Sequence, residues 1–474
     1  MNSKWTMVPA FRIVLISAIM VTQAAQAQTF TKLYSFFLTD NPSGALFQGT
    51  SGDLYGTTQS GGSGDVGSVF EIGPGGGLIT LQNFQGSNGN DPVAGVIEAA
   101  NGKFYGTTYE GGANSVGSIF QISNNTLVTL YSFCTLANCT DGSYPEGALI
   151  QAANGDLYGT TASGGTGEDG TVFKINPSTG LMTTLYSFCS LSGCNDGAFP
   201  YAGLIQGSNG DFYGTTQDGG ASSEGVVFKI TSSGKLTVLY SFCALTACVD
   251  GANPSSALIQ GANGDFYGTT NQGGANGDGT VFSITPSGTL TTLHSFDGAD
   301  GANPVGALVL ATDGNFYGTT QNGGANVGDF CEGGCGTLFK ITPGGTLTRL
   351  HSFRFTDGAA PYAGLIQATN GDFYGTAYEG GENGDGAVYS LSMGLGPFVH
   401  PLTTSGTVGA AVVILGNNLS GATLVTFNGT AATFTVVSAS EIKATVPTGA
   451  TTGTVEVVTP GATLNSNVVY TVKP

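Results

Sequence analysis

The chain has 474 residues, of which 79 are glycine, 40% are hydrophobic and only 9% are charged. Its 12 Lys and Arg residues stand against 31 Asp and Glu residues, and the resulting net charge of −19 argues against binding to nucleic acid. A glycine-rich, charge-poor composition can indicate disorder, but here the apolar residues form short runs between turn residues, which indicates an all-β protein. Beyond the N-terminus no apolar run reaches 18 residues, so we expect no transmembrane segment in the mature chain.

Residues 1–27 have the pattern of a signal peptide. Lys4 and Arg12 supply a positively charged start, residues 13–21 form a short apolar run, and Ala25-Gln26-Ala27 is a small-x-small cleavage site. An uncleaved anchor helix is the alternative. Cleavage would leave 10 Lys and Arg against 31 Asp and Glu. We therefore expect an exported protein that is extracellular, on the cell surface or in the periplasm.

The dominant pattern is a Tyr-Gly-Thr motif that recurs at spacings of 50, 53, 55, 54, 50 and 57 residues. Each repeat has four short runs rich in Val, Ile, Phe, Tyr and Thr, separated by Gly-, Asn- and Pro-containing turns. Four antiparallel strands in a repeat of about 50 residues are typical of a propeller blade. The motif begins at Tyr55, Tyr105, Tyr158, Tyr213, Tyr267, Tyr317 and Tyr374.

The two ends of the repeat array predict how the ring closes. Residues 31–36 have the sequence of a fourth strand, but no strand precedes them, and the last repeat stops after its third strand at residues 387–391. The N-terminal strand can therefore complete the last blade, which removes two open sheet edges. We predict a seven-bladed β-propeller over residues 28–394.

The repeat stops near residue 394, and residues 395–474 are rich in Val, Thr and Ala. Several segments resemble the IPT/TIG immunoglobulin-like domain: 404–409, 414–419, 425–429, 444–447 and 452–455. The resemblance covers essentially the whole segment and implies a β-sandwich that serves as a spacer or interaction module. Its charged residues form no catalytic cluster.

The repeats themselves resemble the GloVer tandem repeats of bacterial "choice-of-anchor" exported proteins. The segments that carry the resemblance are the Gly-Asp-Phe-Tyr-Gly-Thr-Thr runs with the Gly-Gly turn after them, as at 264–274, and the Gly-Thr-Val-Phe-Lys-Ile strand, as at 170–175. The resemblance covers all seven repeats. It implies an exported protein and supplies no biochemical activity for individual residues.

The eight cysteines form four close pairs, and three of these pairs follow the same Tyr-Ser-Phe sequence in consecutive repeats. An even number of close pairs in an exported chain favours local disulfides. Zinc is the alternative, but four thiolates would need pairs from different repeats to converge. The predicted bridges are Cys134 with Cys139, Cys189 with Cys194, Cys243 with Cys248, and Cys331 with Cys335.

The long loops of the predicted blades follow the second and fourth strands and therefore share one face. Of the 29 acids in residues 28–394, 21 fall in these loops, and Arg354 is the one base among them. This face should attract cations or basic partners, although the acids can also serve solubility alone. Calcium is a candidate ligand, because Asp, Asn and backbone carbonyls offer the hard oxygen atoms that it binds. No loop matches a known calcium motif, so we expect that no cofactor is required.

Five aspartates stand before glycine at one equivalent loop position and are candidate binding residues at the mouth of the central channel. The simpler interpretation is local Asx-turn formation, which Asp-Gly favours. Likewise, the seven repeated tyrosines could stack on sugars, but their place on a strand of every blade favours packing between blades. The candidate aspartates are Asp141, Asp196, Asp250, Asp300 and Asp357.

Signals for an enzyme are weak. Histidine occurs only at His294, His351 and His400, and the first two replace the tyrosine of a repeated strand. No Ser-His-Asp order or nucleophile-elbow motif occurs. We expect a monomeric binding or scaffold protein whose ligand is a protein or carbohydrate, with cationic ligands included. The alternative is an extracytoplasmic carbohydrate-active enzyme or a calcium-dependent lectin, for which converging carboxylates unique to one or two blades would be the mark.

Overall fold

The structure is a computed structural model, and it describes residues 28–37, 40–326, 328 and 330–473. The predicted signal peptide at 1–27 lies outside the described residues. The regular secondary structure of the described chain is almost entirely β, in nine sheets. Three short 3-10 segments interrupt it, at Ala137–Cys139, Ser192–Cys194 and Thr246–Cys248.

Eight of the sheets are four-stranded and antiparallel; seven of them are the propeller blades, and six of these seven consist of four consecutive strands. The chain begins with β1 (Thr29–Ser35). Blades 1 to 3 contain β2 (Phe47–Gln48), β3 (Leu54–Thr58), β4 (Ser68–Ile72) and β5 (Leu78–Asn83); β6 (Ile97–Glu98), β7 (Phe104–Thr108), β8 (Ser118–Ser123) and β9 (Thr126–Ser132); and β10 (Ile150–Gln151), β11 (Leu157–Thr161), β12 (Thr171–Ile175) and β13 (Met182–Ser187).

Blades 4 to 6 repeat this arrangement, and blade 7 has three strands of its own. They contain β14 (Ile205–Gln206), β15 (Phe212–Thr216), β16 (Val226–Ile230) and β17 (Leu236–Ser241); β18 (Ile259–Gln260), β19 (Phe266–Thr270), β20 (Thr280–Ile284) and β21 (Leu290–Ser295); β22 (Val309–Leu310), β23 (Phe316–Thr320), β24 (Thr337–Ile341) and β25 (Leu347–Ser352); and β26 (Ile366–Gln367), β27 (Phe373–Ala377) and β28 (Ala387–Ser392).

The N-terminal strand closes the ring as predicted. β1 pairs antiparallel with β28, from Thr29 opposite Ser392 to Ser35 opposite Ala387. Its register shifts between Lys32 and Tyr34, and the outer strand pair of the other blades has the same irregularity. β1 therefore occupies the fourth-strand position of blade 7, and the seven-bladed propeller is confirmed.

The repeated Tyr-Gly-Thr motif lies on the second strand, which is buried on both faces. Tyr213 stacks on Phe266 of the next blade with ring centroids 3.9 Å apart, and four other blades make the same contact. The glycine is required because a Cβ on Gly159 would lie 2.6 Å from the ring of Phe173. The predicted role of the tyrosines in packing between blades is confirmed.

The first strands are innermost, and the fourth strands are outermost. Just before the first strands, neighbouring blades touch through backbone: a Cβ on Gly95 would collide with the carbonyl oxygen of Ala45. The motif's first threonine links the blades at this depth, as when the Thr160 hydroxyl donates to the Ala202 carbonyl at 2.8 Å. The fourth strands are partly exposed, as expected of the outer edge.

Residues 400–473 form a sandwich of two sheets around a separate apolar core. One sheet has the order β29-β31-β35-β34 and the other β30-β37-β36-β32-β33. The strands are β29 (His400–Pro401), β30 (Ser405–Thr407), β31 (Ala411–Leu415), β32 (Leu424–Phe427), β33 (Thr430–Ala431), β34 (Phe434–Val436), β35 (Glu441–Thr445), β36 (Gly453–Val458) and β37 (Thr463–Lys473).

The sandwich contacts the face of the propeller that carries the short turns. The Ser440 hydroxyl donates to the Thr50 carbonyl at 2.7 Å, and the Phe398 amide donates to the Thr369 carbonyl at 3.0 Å. Thr50 and Thr369 lie in the turns after the first strands of blades 1 and 7. The long loops are on the opposite face, away from this junction. Among the described residues, none of the helical segments is long and apolar enough to span a membrane.

Candidate functional site

The aspartates predicted from the sequence are bound inside their own loops. The Asp196 carboxylate is buried and accepts hydrogen bonds from the Tyr186 hydroxyl at 2.8 Å, from the Ser190 amide and hydroxyl at 2.9 and 2.8 Å, and from the Leu191 amide at 3.1 Å. Asp141 and Asp250 are held in the same way, by Tyr131 and Tyr240 respectively.

The other two candidates, Asp300 and Asp357, face histidine in place of tyrosine. His294 Nε2 lies 2.7 Å from Asp300 Oδ2, and His351 Nε2 lies 3.3 Å from Asp357 Oδ2. Both histidines are on outer strands, β21 and β25, as the sequence indicated.

We call these five loop-bound carboxylates the rim aspartates, because each is tied to the outermost strand of a blade. The structure keeps them in separate blades and does not bring them together. A role for them in ligand binding stays a prediction.

The hydrogen bonds lower the pKa of three of the rim aspartates, Asp141, Asp196 and Asp300. Burial alone would raise the pKa of Asp196, but the hydrogen bonds from Tyr186, Ser190 and Leu191 outweigh it and lower that pKa below its usual value. The pKa of Asp141 is lowered in the same way, and that of Asp300 is lowered by His294 and the Asp297 amide against the effect of burial. These groups are stable as anions because their acceptor sites are filled.

All eight cysteines form the four predicted disulfides, with Cα atoms 4.0 to 5.1 Å apart. Local disulfides agree with an exported protein. Among the described residues, one group of three could offer metal ligands by proximity, namely Asp169 with Cys189 and Cys194. Because these two cysteines are bonded to each other, they have no thiolate to give to a metal, and Asp169 alone is a poor site.

The loop-rich face contains a second group of side chains that the repeat pattern concealed. Before the first strand of each blade, the chain passes the axis of the propeller through a three-residue segment that has proline at its centre. The residue after proline differs from blade to blade, as does the residue that directly follows the second strand. The residues after proline are Ser43, Val93, Glu146, Tyr201, Ser255, Val305 and Tyr362. The residues after the second strand are Gln59, Tyr109, Ala162, Gln217, Asn271, Gln321 and Tyr378.

The residue before each of these prolines has a left-handed backbone in all seven blades. Four blades use Asn or Asp, which tolerate this conformation. Tyr144, Phe199 and Ala360, with φ of 57°, 55° and 49°, do not share that tolerance. The left-handed backbone at each of these three residues reduces the stability of the fold by about 1–3 kcal/mol. The strain is therefore concentrated at the entries of blades 3, 4 and 7, where the residues after proline are Glu146, Tyr201 and Tyr362.

Aromatic rings from several blades meet at this point. The rings of Tyr109 and Tyr144 are 5.0 Å apart, and those of Tyr362 and Tyr378 are 5.1 Å apart. The charge of Glu146 acts on both Tyr109 and Tyr201, which come from blades 2 and 4. The charge of Asp91 acts on both Tyr109 and Tyr378, which links the ring pair of blade 7 to the others. We call this group the mouth, and it consists of Tyr109, Tyr144, Glu146, Tyr201, Tyr362 and Tyr378, with Asp91, Glu110 and Glu379 beside it.

The carboxyl groups of the mouth lack the filled acceptor sites of the rim. Glu146 makes no hydrogen bond within the described part of the chain, and burial raises its pKa to about 7. Burial, and after it the charge of Glu110, raise the pKa of Asp91. The pKa values of Tyr109 and Tyr201 are raised first by burial and then by Glu146. A site with unfilled acceptors and desolvated acids is prepared to receive a hydrogen-bond donor or a cation.

Sequence reasoning had missed the mouth. Its signal was present as departure from the repeat: Glu146 stands where the other blades have Ser, Val or Tyr. This departure becomes visible when the repeats are aligned on the proline before the first strand, instead of on the Tyr-Gly-Thr motif.

The fold and its loops define a disulfide-bonded seven-bladed propeller with an appended immunoglobulin-like domain. Residues 19–206 and 190–329 match the Gloeobacter/Verrucomicrobia repeat, and residues 397–472 match the IPT/TIG domain. The chain belongs to the Gloeobacter/Verrucomicrobia repeat family, which confirms both resemblances. Comparison with curated proteins gives no match.

Solved structures share the fold at low identity. The extracellular domain of the hybrid two component system BT4673 from B. thetaiotaomicron is 12% identical, with a TM-score of 0.50 over 82% of this chain and 45% of that one. The corresponding domain of BT3049 is 10% identical, with a TM-score of 0.51 over 90% and 52%. The chain thus spans about half the length of these two domains.

A fungal alcohol oxidase of the AA5 family, solved in complex with copper, is 12% identical with a TM-score of 0.53 over 94% of this chain and 99% of that one. This likeness concerns the fold. Imidazole is a usual copper ligand, but His294, His351 and His400 lie on three different sheets here.

Proposed function

We propose that this protein is an exported binding protein and that its ligand site is the mouth. One observation carries the proposal: the side chains that differ between otherwise repeated blades converge at a single place. Packing of identical blades accounts for repeated residues, whereas Glu146 and its tyrosines serve no packing need that all blades share. Loops on a rigid scaffold are the usual position for recognition.

The chemistry of the mouth favours an organic cation. Tyrosine rings attract an ammonium or guanidinium group through their faces, and carboxylates pair with it. The chain has a net charge of −19, so long-range attraction acts in the same direction. The ligand we propose is a protonated amine or guanidinium group, as presented by lysine and arginine side chains of a basic peptide.

The arrangement of the two domains supports this proposal. The C-terminal sandwich lies on the short-turn face, through contacts such as that of Ser440 with Thr50. The loop-rich face is therefore left open for a partner, with the sandwich as the spacer behind it.

Calorimetric titration with pentalysine at pH 8 and 0.15 M salt tests the proposal. We expect saturable binding that weakens about tenfold in Glu146→Gln, because one desolvated ion pair is lost. Glu168→Gln is the matched control: it removes the same charge from an exposed position in the β11–β12 loop, and it should bind as the natural chain does. Equal weakening by both variants, or no binding, would contradict a site at the mouth. Repeating the titration with EDTA tests the predicted option of calcium.

A second candidate function, glycoside hydrolysis, is favoured by one specific observation. A carboxyl group with a pKa of about 7, such as that of Glu146, is partly protonated at neutral pH and can act as a general acid. Release of reducing sugar from a panel of polysaccharides, with loss in Glu146→Gln, would support this function. Unchanged turnover in that variant would exclude Glu146 as the acid.

A further inference from the structure

A crevice of about 620 Å³ lies between the short-turn face of blades 5 and 6 and the C-terminal sandwich. One wall is made by the turns after the first strands, around Ala262 and Thr312. The other walls are the connecting segment at Phe398 and strand β37 at Asn465 and Asn467. We infer that this crevice binds a small, uncharged, hydroxyl-rich ligand of the size of a mono- or disaccharide.

The absence of charge in the lining selects the ligand class. None of the residues that line the crevice, all of them within the described ranges, is Asp, Glu, Lys, Arg or His. The rest of the molecule is strongly acidic, so a neutral crevice is a local exception. An ionic ligand would find no partner for its charge there, whereas a neutral ligand has no charge to desolvate and needs only hydrogen bonds for its hydroxyls.

The polar groups of the lining suit hydroxyls. An amide side chain offers both donors and acceptors, which a sugar hydroxyl can match in either sense. Asn465 is exposed and makes no side-chain hydrogen bond in the described part of the chain. Apolar surface for the carbon face of a ring comes from Leu310, Pro343 and Pro397.

A partly buried histidine orients one of these amides. His400 Nδ1 lies 3.0 Å from Asn467 Oδ1, and burial lowers the pKa of the ring, so the neutral imidazole donates its proton to the amide oxygen. The amide nitrogen of Asn467 then remains available as a donor. His400 is therefore a positioning residue for the crevice, and this gives a role to the one histidine that lies outside the propeller.

A ligand in the crevice would bridge the two domains. It would contact turns of blades 5 and 6 on one side and β37 on the other, in addition to the direct hydrogen bonds of Ser440 and Phe398. Anything that binds the native junction stabilises it by mass action, so binding should raise the melting temperature.

The repeats provide a matched pair of variants for the test. Ala262 and Ala153 are exposed alanines at the same position of the first turn, in blades 5 and 3, and only Ala262 lines the crevice. We would screen glucose, galactose, N-acetylglucosamine, cellobiose and maltose at 50 mM by thermal melting of the full chain. At least one should raise the melting temperature, and Ala262→Trp should abolish the shift while Ala153→Trp retains it.

Asn465→Ala provides a second variant that keeps the crevice open, and we expect it to weaken binding of the same sugar at least threefold. Glu146→Gln should leave this binding unchanged, which separates the crevice from the mouth. The inference is overturned if no sugar shifts the melt, if Ala262→Trp still binds, or if the loss appears in Glu146→Gln instead.

Discussion

The propeller contains two kinds of acidic side chain on its loop-rich face, and they differ in how well they are bonded. The rim aspartate Asp196 accepts four hydrogen bonds, is buried, and has a lowered pKa. Glu146 at the mouth accepts none in the described part of the chain, and its pKa is raised to about 7. The first is one of five equivalent carboxylates, and the second occurs in a single blade.

The difference teaches where to look for function in a repeat protein. A carboxylate stabilises a loop when its acceptors are filled, and it reduces stability when it is desolvated without partners. For the repeated aspartates, hydrogen bonds from Tyr186 and its equivalents offset the cost of desolvation. No such bonds offset the cost for Glu146, and residues that reduce stability in this way are typical of binding and catalytic sites.

Removing a rim aspartate should give the largest change in stability. Asp196→Ala leaves the Tyr186 hydroxyl and the Ser190 and Leu191 amides without their acceptor. Because each buried donor left unsatisfied costs about 1–3 kcal/mol, we expect a loss of about 3–5 kcal/mol in the free energy of unfolding at pH 7. Urea unfolding measures it. Glu168→Ala, in an exposed position of the same blade, should change stability by less than about 0.5 kcal/mol. Similar losses in both variants would show that the rim bonds are not special.

Removing the mouth carboxylate Glu146 should change the free energy of unfolding in the opposite direction, so that the protein becomes more stable. Because the folded-state pKa of Glu146 is raised above 4.5, its contribution to stability is present below that value and is lost as pH rises through about 7. Glu146→Gln should therefore stabilise the protein by about 3 kcal/mol at pH 8 and by almost nothing at pH 4. The difference in melting temperature between variant and natural chain, measured across this range, gives the result. A variant that is less stable at pH 8 would contradict the proposed desolvation.

The disulfide in the same loop should matter less than the aspartate beneath it. A bridge that closes five residues of sequence separation restricts the unfolded chain only slightly, and Cys189→Ser with Cys194→Ser should cost at most about 2 kcal/mol. Comparison of this double variant with Asp196→Ala separates the covalent contribution from the hydrogen bonds. A greater loss from the bridge than from the carboxylate would reverse that order.

Most of the fold was predictable because it is encoded locally and seven times over. Alternating apolar runs, the Tyr-Gly-Thr strand and the displaced N-terminal strand each follow from the sequence, and so do the cysteine pairs. The five aspartates lie at one equivalent loop position, as the sequence indicated. The Asx-turn interpretation was wrong, because their carboxylates accept from backbone amides three to six residues earlier in the chain and not from the amide two residues later.

The mouth and the crevice could not be predicted in the same way. Glu146 meets Tyr109 and Tyr201 only because ring closure brings blades 2, 3 and 4 around one axis. The position of Asn467 near the turn of blade 5 depends on how two separately folded domains are set against each other. Neither relation leaves a periodic pattern, since each involves residues that occur once.

The most direct test of the mouth as the binding site is oxidative footprinting of tyrosines, read by mass spectrometry, with and without pentalysine. Tyr362 is 37% exposed, whereas the repeated Tyr213 is 1% exposed and serves as an internal control. We expect protection of Tyr109, Tyr201 and Tyr362 when the peptide binds, and no change at Tyr213. Protection confined to the outer loops, or none at the mouth while the peptide is bound, would contradict the proposal.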